Sequence, residues 1–222
     1  MSVAWVRIPD SQRFLYTPVG LRLVDDFTGK APSGGLAVTL EAKDGALPDT
    51  WNVVDFPATL TPGGWVAFVG LGRTTRPQTK PTIRHRVSLE ADSLLALYGL
   101  TPVEQHVEFD VPPFDDLHLP PPVVKKDIFL LPGTTYGFPG EVAVARGRVV
   151  DAASKPVSRA LVTYQHLERV LTDARGEFAL PLRWAAKNSS IQIDAGDGAG
   201  DVGGVTVTVP GGLRRALEIQ IA

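Results

Sequence analysis

The stretch RGRVVDAASKPVSRALVTYQHLERVLTDARGEFALPL, residues 146–182, decides the fold because it alternates short strands with turn sequences. Residues 147–150, 160–164 and 177–180 place apolar side chains at every second position, which is the period of a β-strand. Between them, residues 151–156 carry turn chemistry and Gly176 supplies a residue for which a positive φ costs little. The stretch therefore predicts half of a β-sandwich.

The same residues resemble a known family, the carboxypeptidase regulatory-like domain, which has a transthyretin-like β-sandwich fold. The pattern is G-x-V-x-D, then P-V-x-x-A-x-V, then T-D-x-x-G-x-F, and it covers roughly the last 80 residues. The resemblance implies a structural or binding module, and it transfers no catalytic residues. The residues that carry it are Gly147, Val149, Asp151, Pro156, Val157, Ala160, Val162, Thr172, Asp173, Gly176 and Phe178.

Composition extends the prediction to the whole chain of 222 residues. Its 22 glycines and 19 prolines, with little helical spacing of apolar residues, favour an all-β protein rich in tight turns. We therefore predict two tandem antiparallel β-sandwiches, transthyretin-like or immunoglobulin-like, joined by a proline-rich linker. The expected divisions are an N-terminal arm at 1–16, a first sandwich at 17–118, a linker at 119–142 and the regulatory-like sandwich at 143–222.

An internal repeat supports two sandwiches, because four segments of the first part match four of the second in the same order. Eight of the nineteen prolines lie between residues 101 and 139, so this region is not expected to supply a long central strand. The region between the second and third strands, residues 43–59, is expected to hold an insertion. The matched pairs are 20–42 with 147–165, 60–71 with 171–182, 85–92 with 190–197, and 106–112 with 204–210.

Residues with recognisable catalytic or metal-binding spacing are missing from the sequence. With no cysteine there is neither a disulfide nor a thiolate ligand, and the four histidines form no H-x-x-E, H-E-x-x-H or H-x-H pattern. The acidic loop 194–201 lacks the D-x-D-x-D-G spacing of a calcium loop, so it is interpreted as a turn. We expect no enzyme activity, no cofactor and no metal. The histidines are His85, His106, His118 and His166.

Charge limits the partners that the sequence allows. Lys and Arg number 22 against 24 acidic residues, so no basic surface is expected for nucleic acid. The apolar runs fall short of the ~20 residues that span a bilayer, and the N-terminus shows no secretion signal. We expect a cytoplasmic protein that contacts neither membrane nor nucleic acid.

The first functional hypothesis is a structural or adaptor component of a larger protein assembly, either a homo-oligomer or part of a multi-protein particle. Residues 127–151 resemble the approach to the regulatory-like domain in proteins of phage-tail-like contractile injection systems, including cap proteins, which implies such a particle. The second hypothesis is a carbohydrate- or peptide-binding module, with Trp51, Trp65 and Trp184 as stacking platforms or as core residues. The candidate interface residues are Trp5, Phe14, Tyr16, Ile128, Phe129, Leu130, Tyr136 and Phe138.

Overall fold

The computed structural model describes residues 16–32, 37–45, 50–90, 97–100, 105–115 and 124–222. These residues form an all-β structure in which the only helices are two short 3-10 turns. No helix among them is both long and apolar enough to cross a bilayer. The fold class predicted from the sequence is confirmed.

The described part of the first half contains nine strands and one 3-10 helix, η1 (Pro77–Thr79). The strands are β1 (Val19–Asp25), β2 (Ala37–Lys43), β3 (Trp51–Val53), β4 (Thr59–Leu60), β5 (Trp65–Ala67), β6 (Ile83–Glu90), β7 (Tyr98–Gly99), β8 (His106–Val111) and β9 (Val124–Pro132).

The second half contributes seven strands and the 3-10 helix η2 (Gly211–Arg214). The strands are β10 (Val144–Val150), β11 (Leu161–Tyr164), β12 (Glu168–Leu171), β13 (Glu177–Pro181), β14 (Ser190–Gly196), β15 (Val202–Thr208) and β16 (Leu217–Gln220).

Each half is sandwich-like, since its two sheets share one apolar core. In the first half the sheet β4-β5-β1-β9-β7 and the sheet β3-β2-β6-β8 bury Leu21 and Ile128 against Val87 and Phe109. In the second half the sheets β13-β10-β16 and β12-β11-β14-β15 enclose a separate core. Burying each such side chain stabilises the fold by about 1.5–3 kcal/mol relative to exposure.

The two halves have the same strand connectivity. Strand β1 is antiparallel to β5 and parallel to β9, and β10 is likewise antiparallel to β13 and parallel to β16. The other sheets correspond strand for strand, β3-β2-β6-β8 to β12-β11-β14-β15. The segments of the two halves that match in sequence therefore occupy equivalent positions in the two folds. The parallel pairs differ from the expectation of purely antiparallel sheets.

The turn before β5 and the turn before β13 share one geometry. The Gly64 carbonyl accepts a hydrogen bond from Leu23 N, and the Gly176 carbonyl accepts one from Val149 N, both at 2.8 Å. Both glycines have positive φ, 79° and 73°. A Cβ would lie 2.7 Å from the Leu23 oxygen at Gly64 and 2.6 Å from the Val149 oxygen at Gly176. At both positions glycine is therefore required for two reasons: the backbone has a positive φ, and the neighbouring carbonyl oxygen lies too close for a Cβ.

The predicted linker at 119–142 is wrong over residues 124–132, which form strand β9. This strand lies inside a sheet and pairs with β1 over seven residues, from Val19 opposite Val124 to Asp25 opposite Leu130. Pro132 stands at its last position, so proline bounds the strand and does not interrupt it. The first half therefore extends to Pro132, past the predicted boundary at 118. The predicted insertion at 43–59 contains β3, which pairs with β2 as β12 pairs with β11.

His85 is a buried histidine in strand β6. Its side chain stacks on Phe109, and Nδ1 lies 3.0 Å from the carbonyl oxygen of Ile83, so Nδ1 carries the proton and donates it. Burial lowers the pKa of His85 below its usual value, and the Ile83 hydrogen bond opposes that shift. The folded protein therefore holds this imidazole neutral at pH values where the unfolded chain protonates it.

We expect Gly64→Ala and Gly176→Ala each to lower the free energy of unfolding by about 1–3 kcal/mol, because both combine left-handed strain with a carbonyl clash. Gly63→Ala is the matched control, since its nearest contact would be Trp65 Cδ1 at 3.6 Å. Urea denaturation measures all three variants. Equal midpoints for Gly63→Ala and Gly64→Ala would show that the turn does not require glycine.

We expect stability to fall as the pH drops below about 6.5, because the unfolded chain then binds a proton that folded His85 does not. The slope contributed by this group is at most about 1.4 kcal/mol per pH unit. Denaturant titrations at pH 7.5, 6.5 and 5.5 should show a flatter profile for His85→Phe than for the parent protein. His166→Asn, which changes an exposed histidine outside the core, is the control variant. If stability depended on pH equally in His85→Phe and in the parent protein, the lowered pKa of folded His85 would be contradicted.

Candidate functional site

A buried carboxylate, Asp25, organises the turn that follows strand β1. Its side chain is 3% exposed and accepts hydrogen bonds from the backbone N–H groups of Phe27 and Thr28 at 2.9 and 3.1 Å. The hydroxyl groups of Tyr98 and Tyr136 donate to its other oxygen at 3.1 and 2.7 Å. With four donors, the carboxylate fixes both the turn and the two rings.

The aromatic rings around Asp25 form one cluster. Phe27 packs edge-on against Tyr136 and Phe138, with ring centroids 5.6 and 5.1 Å apart, and Tyr98 packs edge-on against Tyr136. Burial and then the hydrogen bond to Asp25 raise the pKa of the Tyr136 hydroxyl, so Tyr136 remains a donor over the physiological range. The segment after β9 is thereby attached to the end of β1.

Two arginines of the second half bind this same turn of the first half. Arg169 donates to the Asp26 carboxylate through Nη2 at 2.7 Å and lies over the ring of Phe129. Arg183 donates to the carbonyl oxygen of Phe27 at 2.5 Å and lies 4.3 Å above its ring. Each of these bonds crosses from one half to the other, so the two arginines join the halves at this turn.

A carboxylate and a third arginine complete the junction. Glu168 is 2% exposed and receives two hydrogen bonds from Arg183, at 2.6 and 2.8 Å, which orient the guanidinium towards the turn. Arg159 donates to the carbonyl oxygen of Leu100 at 2.6 Å. Leu171 packs closely on Gly99, since a Cβ at position 99 would lie only 3.0 Å from Leu171 Cδ1. The junction thus combines charged, polar and apolar contacts.

A cleft of about 1050 Å³ lies beside this junction and is lined by both halves. Its floor is the outward face of the sheet β3-β2-β6-β8, which carries Thr39, Glu41, Arg86, Ser88 and His106. Its opposite wall is the turn of residues 172–175 with Ser158 and Arg159. This concave surface brings together several polar groups from both halves, so we take it as the candidate site.

Hydrogen bonds connect the polar side chains on the floor of the cleft into one row. Arg86 holds Glu41 with two bonds, from Nε and Nη2, at 2.8 and 2.7 Å. Ser88 Oγ donates to the same carboxylate and lies 3.0 Å from His106 Nδ1. The hydrogen bond from Arg86 is the main cause of the lowered pKa of Glu41, which therefore stays ionised at neutral pH. Arg86 also lies 4.5 Å from the ring of Trp51.

The predicted interface residues are distributed differently from the expectation. Ile128 and Leu130 are fully buried in the core of the first half, so they offer no surface to a partner and this part of the prediction is wrong. Phe129, Tyr136 and Phe138 are half-buried; Phe129 lies under Arg169 of the second half, and Tyr136 and Phe138 pack on each other beside Phe27. Trp5 and Phe14 lie outside the described residues.

Tyr16 is the remaining residue of that prediction. It is 9% exposed, and its ring packs edge-on against Phe114 with centroids 4.6 Å apart. Its hydroxyl oxygen is buried and has no hydrogen-bond partner among the residues described by the structure. Tyr16 is thus an internal packing residue at the start of the described chain.

The tryptophans and histidines considered as site residues are spread over the molecule. Trp51 lies beside the cleft, Trp65 is half-buried on β5, and Trp184 is 63% exposed away from it. His106 lies in the cleft and His166 in an exposed turn, while His118 lies outside the described residues. Within the described ranges, no three acidic or imidazole side chains are close enough together to bind a metal ion.

Residues 197–201 of the acidic stretch form the turn that the sequence predicted, whereas residues 194–196 belong to strand β14. Asp197 Oδ1 accepts backbone hydrogen bonds from Ala199, Gly200 and Asp201, at 2.8 to 3.2 Å. One carboxylate thus fixes its own loop.

Sequence reasoning missed the residues on the floor of the cleft. Strand alternation does place Thr39 and Glu41 on one face of β2, and Arg86 and Ser88 on one face of β6. What brings them together is the register of the two strands, which sets Glu41 opposite Arg86 and Thr39 opposite Ser88. The pairing register of β2 and β6, which the sequence does not reveal, was the information needed to predict this row of side chains.

We expect the ion pair between Asp26 and Arg169 to couple the two halves by on the order of 1 kcal/mol in a double-mutant cycle. The cycle uses Asp26→Asn, Arg169→Gln and the double variant, with free energies of unfolding from urea titrations. Arg148 and Glu218 provide the control, because their side chains are 57% and 55% exposed and lie within the second half. Their coupling should stay below about 0.5 kcal/mol. Equal couplings for the two pairs would refute a special role for the junction.

Comparison with known proteins assigns no family to the chain. No protein-family model matches it, and no curated protein does. Among solved structures, the Bacillus anthracis TIE protein matches at 11% identity with a TM-score of 0.30. The match covers 93% of this chain and 33% of that one, so this chain spans about a third of that protein's length.

Proposed function

We propose that this protein is a non-enzymatic structural or adaptor component of a larger protein assembly. The observation that carries the proposal is the junction, where arginines 159, 169 and 183 of the second half bind the first half. An assembly component must hold its attachment surfaces at a set distance and angle. Charge-assisted contacts across the junction, with a nearly buried Glu168 behind Arg183, serve that purpose.

The attachment surfaces in this proposal are exposed apolar positions on terminal strands. Val53, 72% exposed, lies on β3, which is the last strand of its sheet. Val202, 66% exposed, lies on β15, which ends another sheet, but its backbone N–H and carbonyl already pair with Ala222, so it offers only its side chain to a partner. Strand edges with apolar side chains are places where another chain adds by backbone hydrogen bonding. The partners are other protein subunits, in a homo-oligomer or in a multi-protein particle.

The particle we propose is of the phage-tail-like contractile injection type. The support is the resemblance of residues 127–151 to components of such systems, together with the regulatory-like pattern of the second half. We place its action in the cytoplasm, without a nucleic-acid or membrane partner, and the formal net charge of −2 supports the absence of nucleic acid.

A second candidate function is that of a carbohydrate- or peptide-binding module. The cleft favours it, because a concave site of about 1050 Å³ with converging polar side chains is typical of ligand binding. The two candidates make different demands on the molecule. The first requires protein contacts at the strand edges, and the second requires an accessible cleft.

We expect size-exclusion chromatography with light scattering to give a mass that is a multiple of 23.8 kDa, or a larger complex when the tagged protein is recovered from its native cells. Val53→Asp and Val202→Asp place a charge on each edge, and at least one should release the single chain. Lys187→Asp, in an exposed loop, is the control and should leave the assembly intact. A single-chain mass both from purified protein and from native cells would refute the assembly function.

A further inference from the structure

The central strands on the floor of the cleft between the halves offer side chains to a ligand and no free backbone edge. Strand β2 is paired with β6 from Ala37 to Ala42, and β6 is paired with β8 from Ile83 to Ser88. The backbone groups of these central strands are used within the sheet. A bound molecule must therefore be recognised by side-chain groups, which argues against an added peptide strand on this floor.

The charges that line the cleft are largely neutralised within the protein. Three arginines and two carboxylates among the described lining residues give 3 − 2 = +1 with neutral histidine. Arg86 is bound to Glu41 at 2.7 Å, and Arg175 lies 3.7 Å from Asp173. Since each carboxylate already has a guanidinium beside it, the site has little net field for an ionised ligand.

The remaining polar groups are hydroxyl, amide and imidazole groups. Thr39, Ser88, Thr134, Ser158 and Gln105 line the cleft together with His106. Such groups both donate and accept hydrogen bonds, as the hydroxyl groups of a sugar do. The planar pair of Glu41 and Arg86 is held in place by Ser88, so this part of the site is ordered before a ligand arrives.

Apolar surface alternates with these polar groups. Val53, which is exposed, lines the cleft, and Trp51 lies beside Arg86 at its edge, whereas Leu100 and Leu171 are nearly buried beneath it. Sugar rings present hydroxyl groups at their edges and C–H groups on their faces, so they need both kinds of contact. The volume of about 1050 Å³ is at the upper end for small-molecule sites, which favours a chain of several sugar units over a single one.

From these observations we propose that the cleft binds a neutral oligosaccharide through the floor of the sheet β3-β2-β6-β8. The polar row from Glu41 to His106 contacts the sugar hydroxyl groups, and the apolar positions contact the ring faces. This inference rests on the second candidate function, ligand binding, and Val53 is a position that it shares with the proposed attachment surfaces.

The test is a printed array of neutral glucans, xylans and galactans beside glycans that carry sialic or uronic acids, probed with the full-length protein. We expect binding to at least one neutral class, and the strongest neutral glycan is then titrated by calorimetry. His106→Ala and Thr39→Ala each remove a polar group from the floor and should weaken binding by about tenfold, the size of one lost hydrogen bond. His166→Ala, outside the cleft, should bind as the parent does.

Urea denaturation of each variant separates lost binding from lost folding, and Thr39→Ser keeps the hydroxyl group and should retain affinity. Absence of binding to every neutral glycan, binding restricted to acidic glycans, or neutral binding unchanged in both floor variants would each overturn the proposal. Light scattering on the same samples reports assembly separately. Loss of glycan binding with an intact oligomer would therefore count against the cleft and leave the assembly function standing.

Discussion

The arrangement of the two halves depends on the buried carboxylate of Asp25. Its hydrogen bonds to Phe27 and Thr28 fix the turn after β1, and that turn presents Asp26 and the Phe27 carbonyl to the second half. A carboxylate at 3% exposure is stable only when donors surround it, and Tyr98 and Tyr136 supply them. Removing those donors would loosen the turn and the junction together.

The sequence predicted most of the strands because alternation and turn glycines are local signals. It failed at β9, where the density of prolines around residues 112–132 outweighed the apolar run Ile128 to Leu131. The internal repeat predicts a strand at the position of β9. In the second half the segment that ends at Pro210 is followed by the parallel strand β16, so the matching segment that ends at Pro112 should also be followed by a parallel strand. Strand β9 is parallel to β1, so the whole chain from residue 26 to residue 123 serves as the long connection that a parallel pair needs.

The junction and the cleft could not be predicted in the same way, because both depend on contacts between distant residues. Arg169 and Asp26 are 143 positions apart, and Arg86 and Glu41 are 45 apart. In the sequence each is one charged residue on a strand or turn, which is the usual pattern of a solvated face. Only the register of β2 with β6, and the packing of one half on the other, distinguish these charges from ordinary surface residues.

The shared topology makes the difference between the halves informative. Asp151 occupies the position of Asp25 and likewise accepts from two backbone N–H groups, of Ala153 and Lys155, but its turn is largely exposed and, within the described residues, lacks the tyrosine donors that surround Asp25. The sheet that forms the floor of the cleft also has a counterpart, β12-β11-β14-β15, where Gln192 donates to Asp194 and accepts from Thr206 on an exposed face. With the same strand order, the first half thus has a buried turn and a covered sheet face, whereas the second half has an exposed turn and an open sheet face. Because both differences arise where the second half packs on the first, the packing of the halves, and not the repeated fold, creates the candidate site.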